Sequence, residues 1–271
     1  PMVSSWVKNN DLGGILLHLT IQLESTSPSF EIPVQYNYLV QAAIYQALSK
    51  DVSGFFHDVG FEHKGRRLKL FTFSRFIGKS ILIKEREVLR FQGPVTLVVS
   101  SPIHQFCSSL ATGLLKLGNV TIGPAVLSVT KLQVSEPKVE GNGIDVRMLS
   151  PTVVYSTMTR YDGRKYTCYF APGEPEFEEL VWRNLVRKYE ILTQSDPPEA
   201  PGFSIEVKSN PKLSILKYKG TVIKGYMCFL RLLGPQPLLQ VALDAGLGSK
   251  NSQGFGCLVP DKPVPAREVY L

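Results

Sequence analysis

Apolar residues run almost unbroken through residues 14–23 (GILLHLTIQL), between DLGG and ESTSPS, and their branched side chains predict a strand. The period then changes. Val40, Ile44, Ala47 and Leu48 recur at helical spacing across residues 37–50, with Asn37 as the predicted N-cap. Further apolar stretches predict strands at 69–77, 80–83, 88–91 and 95–100, a second helix over 103–117 closed by Gly118, and a strand at 125–134. Residues 136–143 (EPKVEGNG) are polar and rich in Pro and Gly, which makes them a domain boundary and divides the chain into 1–138 and 139–271. After that boundary the pattern starts over. It gives a strand near 144–148, a hairpin around residues 161–164, a helix over 175–192 and a Pro-rich loop at 196–202 (DPPEAPG). Strands at 203–208, 213–218 and 222–233 and a short helix at 236–245 complete it.

Each half thus reads as strand, helix, strands, helix, strand. This order predicts an α+β protein of two tandem ferredoxin-like (RRM-like) domains, each an antiparallel sheet with helices on one face.

Composition narrows the class without changing that picture. A chain of 271 residues with 44% hydrophobic and 20% charged side chains is globular rather than disordered, and long enough for two cores. No apolar run reaches membrane-span length, and the N-terminal stretch PMVSSWVKNN does not read as a signal peptide, so a cytoplasmic protein without membrane contact is expected. Cys107, Cys168, Cys228 and Cys257 form no CxxC or Cys/His cluster, and are expected to be buried thiols in a reducing compartment, with no metal site.

Charge is more informative in its distribution than in its sum. From His63 to Arg90 there are nine Lys or Arg against Glu85 and Glu87, an excess equal to the net +7 of the whole chain. Phe71, Phe73, Phe76 and Phe91 interleave this window, which predicts a surface for a polyanion. A second basic stretch at 208–224 carries five lysines.

Two Gly-apolar-Gly triplets bracket five polar residues at 246–256 (GLGSKNSQGFG). A dinucleotide site needs GxGxxG between a strand and a helix, and a P-loop needs GxxxxGK[ST]. Here the third glycine position is Asn251, the loop follows a helix, and Lys250 stands at the wrong spacing, so neither nucleotide reading holds. The whole pattern resembles the C-terminal signature of the CRISPR-associated repeat-cleaving endoribonucleases, the Cas-six group of the RAMP superfamily. Residues 33–50 (PVQYNYLVQAAIYQALSK), the pair Phe56-His57, the phrase KLFTFS at 69–74 and SPTVV at 150–154 resemble that family in the same order.

The resemblance implies a metal-independent RNase without cofactor that cuts precursor CRISPR RNA within its repeats. CRISPR repeat RNA is the implied partner, with other Cas proteins of an effector complex and a homodimer as further expected associations. Residue type alone does not choose among His18, His57, His63 and His104, since histidines more often pack or lie on surfaces than catalyse. His57, after the first helix, matches the family's acid/base histidine, and Tyr45 and Lys69 match the other members of a Tyr-His-Lys set. On that basis His57 moves the proton of a 2′-hydroxyl, Tyr45 positions it, and Lys69 offsets charge on the phosphorane, giving 2′,3′-cyclic phosphate and 5′-hydroxyl ends. RNA contacts are assigned to Lys64, Arg66, Arg67, Lys69 and Lys250 and to the loop at Gly246, Gly248, Gly254 and Gly256. The competing reading is a non-cleaving RNA-binding scaffold subunit of a CRISPR effector complex.

Overall fold

The computed structural model describes residues 17–198, 202–262 and 266–269. Residues 14–16 of the first predicted strand and 199–201 of the Pro-rich loop lie outside them.

In chain order the first half runs β1 (Leu17–Glu24), β2 (Ser29–Pro33), α1 (Asn37–Ala47), α2 (Lys50–Gly54), a π-helical turn (Phe55–Val59), β3 (Phe61–His63), β4 (Arg66–Leu68), β5 (Thr72–Phe73), β6 (Ile77–Ile83), β7 (Val88–Ser101), α3 (His104–Leu117), β8 (Asn119–Ile122) and β9 (Ala125–Ser135). β1 is central and pairs antiparallel with both β7 and β9. Its alternate residues Leu19, Ile21 and Leu23 point into the core, as the period of a strand with one covered face requires. α1 and α3 cover that face, and a Cβ at Gly113 of α3 would fall on the carbonyl of Ala47, so the helices cross at backbone contact.

The second half runs β10 (Gly143–Met148), β11 (Tyr155–Thr159), β12 (Lys165–Tyr169), α4 (Pro175–Thr193), β13 (Ser204–Val207), β14 (Lys212–Tyr218), β15 (Thr221–Met227), β16 (Phe229–Leu233), α5 (Gln236–Ala245), β17 (Leu258–Pro260) and β18 (Ala266–Val269). Its sheet has the order β13-β16-β10-β17, all antiparallel, while β11–β12 and β14–β15 form separate hairpins. The α+β class with antiparallel sheets is therefore as predicted. Among the links between the halves are a shared sheet and a buried side-chain pair. β18 leaves the second half to pair with β9, and His18 on β1 contacts Asp244 on α5 at 3.0 Å with both residues buried.

Several local expectations are corrected. Asn37 is not an N-cap: Tyr36 holds that position without a side-chain cap bond, and the Asn37 amide is used elsewhere. The predicted strand at 69–77 shrinks to the two residues of β5, because Leu70 takes φ 42° and Ser74 and Arg75 send their N–H groups to Val98 and Leu149. Strands 88–91 and 95–100 are one, β7, which turns through Gly93 at φ 71° to pair β2 with its first part and β1 with its second. Strand 222–233 is two, separated at Cys228 where the β14–β15 hairpin leaves the sheet. Phe71, Phe73, Phe76 and Phe91 are core residues rather than surface aromatics, each at most 7% exposed.

Candidate functional site

The turn after α2 is built on aromatics. Phe55 and Phe56 are both buried, packed edge-on to Phe61, while Phe56 and Phe71 also meet Phe106 of α3. A π-helical turn widens the backbone by one residue per hydrogen bond, and such turns often mark functional sites. Here it buries two consecutive phenylalanines and leaves the next side chain, His57, 63% exposed. Gly60 ends the turn at φ 67°, where a Cβ would press on the carbonyl of Leu68.

Three predicted residues converge on this turn. Tyr45 of α1 donates its hydroxyl to the Phe56 carbonyl at 3.3 Å, and its ring lies edge-on to the His57 ring at 5.2 Å. Lys69 donates to the His57 carbonyl at 2.5 Å, with its ammonium 5.6 Å from the centre of the Tyr45 ring. His57 Nδ1 meets Asp58 Oδ1 at 2.5 Å. Burial pushes the Tyr45 phenol above its ordinary value, so it stays protonated and serves as a donor. Burial pulls the Lys69 ammonium below its ordinary value, with Asp58 opposing the shift.

The other histidines are placed differently. His18 is committed to Asp244, His104 lies exposed beside Ser108, and His63 contacts Glu190 of α4 at 2.8 Å. Lys64 donates to the same carboxylate at 2.9 Å, so Glu190 holds the β3–β4 hairpin to α4 and sits below the usual carboxylate range through these contacts, Lys64 first. Arg67 lies 3.8 Å from Glu62 across the hairpin.

A cleft of about 710 Å³ opens between the hairpin, α4, β11 and the glycine loop. Arg66, Arg67 and Lys69 line one side, Arg183, Asn184 and Arg187 of α4 another, and Ser249 to Gln253 the third. A side recess of about 100 Å³ lies among Arg66, Arg183, Asn184, Arg187 and Ser249. Burial and the nearby Arg66 charge both pull Arg187 down, and Glu190 opposes them, so two guanidinium groups share a poorly neutralised wall. Asn184 is 9% exposed and its Oδ1 has no hydrogen-bond partner. Sequence reasoning missed the α4 residues. The available signal was their i, i+4 spacing at 183 and 187, which aligns two arginines on one helix face; the acidic residues of the same helix hide it from a charge count. The lysines of the second basic stretch at 208–224 do not line this cleft.

The glycine loop needs its glycines for close approach as well as for φ. Gly246, Gly248, Gly254 and Gly256 all have positive φ, between 67° and 85°. A Cβ on Gly248 would press on the Val153 carbonyl, and one on Gly254 would enter the Phe73 ring. Asn37 donates to the carbonyls of Gln253 and Gly254, and Gln41 to that of Ser252, so α1 grips the loop. Asn251 bridges it internally, donating to Leu247 and Phe255 carbonyls at 3.1 and 3.0 Å. Lys250, assigned above to RNA contact, is half-buried with its ammonium 5.3 Å above the Tyr155 ring. From below, Lys188 of α4 reaches the loop, another residue with no conspicuous sequence signal.

Comparison with known proteins agrees with this architecture. Residues 31–133 match the family model described as CRISPR-associated protein Cas6, N-terminal, and residues 134–259 match that of CRISPR associated protein Cas6, C-terminal. The chain is 27% identical over 243 residues to the CRISPR-associated endoribonuclease Cas6 1 of Methanocaldococcus jannaschii, covering 89% of this chain and 92% of that relative. It is 28% identical over 239 residues to the CRISPR-associated endoribonuclease Cas6 of Pyrococcus furiosus, covering 86% and 85%. A solved structure described as a RAMP protein binding different RNA substrates superposes with a TM-score of 0.77 at 20% identity, covering 91% of this chain and all of the other, and so shares the fold. Two adjoining family models over nearly the whole described chain, and relatives matched along most of their length, lead to one conclusion: the chain belongs to the Cas6 family of CRISPR-associated endoribonucleases.

Proposed function

We propose that this protein cleaves precursor CRISPR RNA within its repeats, without a metal ion, through attack of a 2′-hydroxyl on the adjacent phosphate. The observation that carries the reading is the convergence of Tyr45, His57 and Lys69 beside a cleft walled by arginines and lysines. Imidazole is the side chain suited to proton transfer near neutral pH. With Nδ1 of the neutral ring donating to Asp58, Nε2 is the nitrogen left to accept a substrate hydroxyl, on a side chain that is largely exposed. His57 takes the 2′-hydroxyl proton as O2′ bonds to phosphorus. Tyr45, on turning its one O–H away from the Phe56 carbonyl, is the donor for the hydroxyl or a phosphate oxygen. Lys69, partly stripped of water, stabilises the phosphorane charge and is the acid available to the leaving 5′-oxygen as the P–O5′ bond breaks. The products are a 2′,3′-cyclic phosphate and a 5′-hydroxyl.

The cleft supplies binding. Arg66, Arg67, Arg183, Arg187 and Lys250 contact phosphates, and Tyr155 offers a stacking face for a base once Lys250 turns to the RNA. The convergence of the Tyr-His-Lys set supports cleavage over a non-cleaving scaffold, which has no use for it. Incubation of cognate repeat RNA with wild type in EDTA tests the reading. Cleavage is expected to persist in EDTA and in His63→Ala, and to fall by about 10²–10⁴-fold in His57→Ala with RNA binding retained. A requirement for divalent metal, activity unchanged in His57→Ala, or cutting of RNA with a 2′-deoxy group at the scissile nucleotide would sink the mechanism.

A further inference from the structure

Lys188 lies near the C-terminal end of α4 with 2% of its surface exposed. Among the described residues, no carboxylate is a hydrogen-bond partner of Lys188. Its ammonium donates instead to the Gly246 carbonyl at 2.6 Å and Asn251 Oδ1 at 2.8 Å, with the carbonyls of Ala245 and Gly248 at 3.3 and 3.4 Å. Ala245 is the last residue of α5, where carbonyls are left without intrahelical donors and the helix dipole favours a cation. Gly246 and Gly248 form the first arm of the glycine loop, and Asn251 at its middle donates to Leu247 on that arm and Phe255 on the other. One buried cation therefore ties together a helix end and both arms.

Burying a charge without a counter-ion is costly, and well-packed apolar residues serve stability as well or better. The position of Lys188 gives the cost a purpose. Arg183, Asn184 and Arg187 precede it on the same helix and line the cleft, and Ser249, Lys250 and Asn251 line the facing wall. Two residues further along α4, Glu190 holds the hairpin that carries Arg66 and Arg67. The helix is thus the common anchor of the loop wall and the hairpin wall.

Resting on the reading of the cleft as an RNA track, we propose that Lys188 is a positioning residue for RNA binding: its buried ammonium fixes the glycine loop to α4 and so sets the spacing between the cations of the helix and those of the loop. Its ammonium, though at the floor of the cleft, is spent on α5 and the loop rather than on His57. Its loss therefore weakens binding and leaves the chemical step alone.

The test measures affinity and chemistry separately at slightly acid pH, where the ammonium is charged. Cognate repeat RNA with a 2′-deoxy scissile nucleotide reports affinity, and single-turnover cleavage of all-ribose RNA at saturating protein reports the chemical step. Lys188→Met should raise Kd about tenfold, the equivalent of one charge-assisted hydrogen bond, with the saturated cleavage rate within about twofold of wild type. Lys188→Arg, which keeps the charge, should recover part of the affinity. Asn251→Ala leaves α4 intact and removes the side-chain acceptor from the loop side; it should raise Kd in the same sense and serves if Lys188→Met does not fold. Unchanged Kd in a folded Lys188→Met or Asn251→Ala overturns the proposal, as does an equal loss in affinity and saturated rate. Wild type that fails to bind the RNA would instead overturn the reading of the cleft.

Discussion

At the scale of single residues, chemistry is decided by what each side chain touches. Among four histidines, His18 and His63 are committed to Asp244 and Glu190, and His104 lies on the surface beside Ser108. His57 alone stands beside a tyrosine and a lysine, with a carboxylate on one ring nitrogen. The sequence named that trio only through family resemblance, because three residues spread over 25 positions have no local signature. Lys188 was illegible for a related reason: a lysine in a mixed-charge helix reads as solvated, and only the packing of α5 and the loop over it removes it from water. Burial pulls its ammonium down to about 7, against about 10.5 for an ordinary lysine. Between those values the unfolded chain holds a proton that the folded chain has released, so the Lys188 contribution to stability rises with pH from about 7 toward 10.5 and is flat beyond both limits. Urea unfolding of wild type and Lys188→Met at both ends of that window checks this. The wild-type gain with rising pH should be absent from the variant, and equal slopes would count against it.

At the scale of elements, periodicity found the helices and failed where strands bend. α5 falls on its predicted bounds although it is buried on most faces, and α1, α3 and α4 fall within a few residues of theirs because each has one apolar stripe that the pattern registers. The stretch from Leu70 to Ser74 reads as part of a strand but is buried throughout beneath the glycine loop, where Thr72 donates to the Phe255 carbonyl at 2.9 Å. Side-chain alternation cannot distinguish that situation from a ladder. The π-turn at Phe55–Val59 likewise has no propensity signal; it follows from the need to bury two adjacent phenylalanines in the same core. The glycine loop is the opposite case, since its spacing was visible and its contacts were not. Gly254→Ala would force a methyl group into the Phe73 ring from a backbone at φ 85°. It is expected to destabilise the protein by roughly 1–3 kcal/mol and to weaken RNA binding with it. Thermal unfolding and RNA titration of the one variant measure both, and a protein as stable as wild type would refute the packing account.

At the scale of the whole molecule, thirty Lys and Arg against twenty-three Asp and Glu produce a cationic face only where the fold concentrates them. The hairpin, α4 and the glycine loop come from three distant parts of the chain and meet around one cleft. Replacing Arg183 and Arg187 by alanine should weaken binding of all RNAs similarly. It should also flatten the plot of log affinity against log salt by about 1.4, or 0.7 per lost phosphate contact. Binding measured across a salt series checks this, and an unchanged slope would place the RNA on another face. Composition and hydrophobic period by themselves determined an α+β chain with two repeating halves, an excess of positive charge in one early window and an unusual glycine spacing, because such features depend on neighbours within a few residues. Tertiary structure alone decided which cations face one another, which histidine stands beside a tyrosine and a lysine, and which lysine is buried under the loop. Those properties arise from the distance and desolvation of groups far apart in sequence, and no local pattern encodes them.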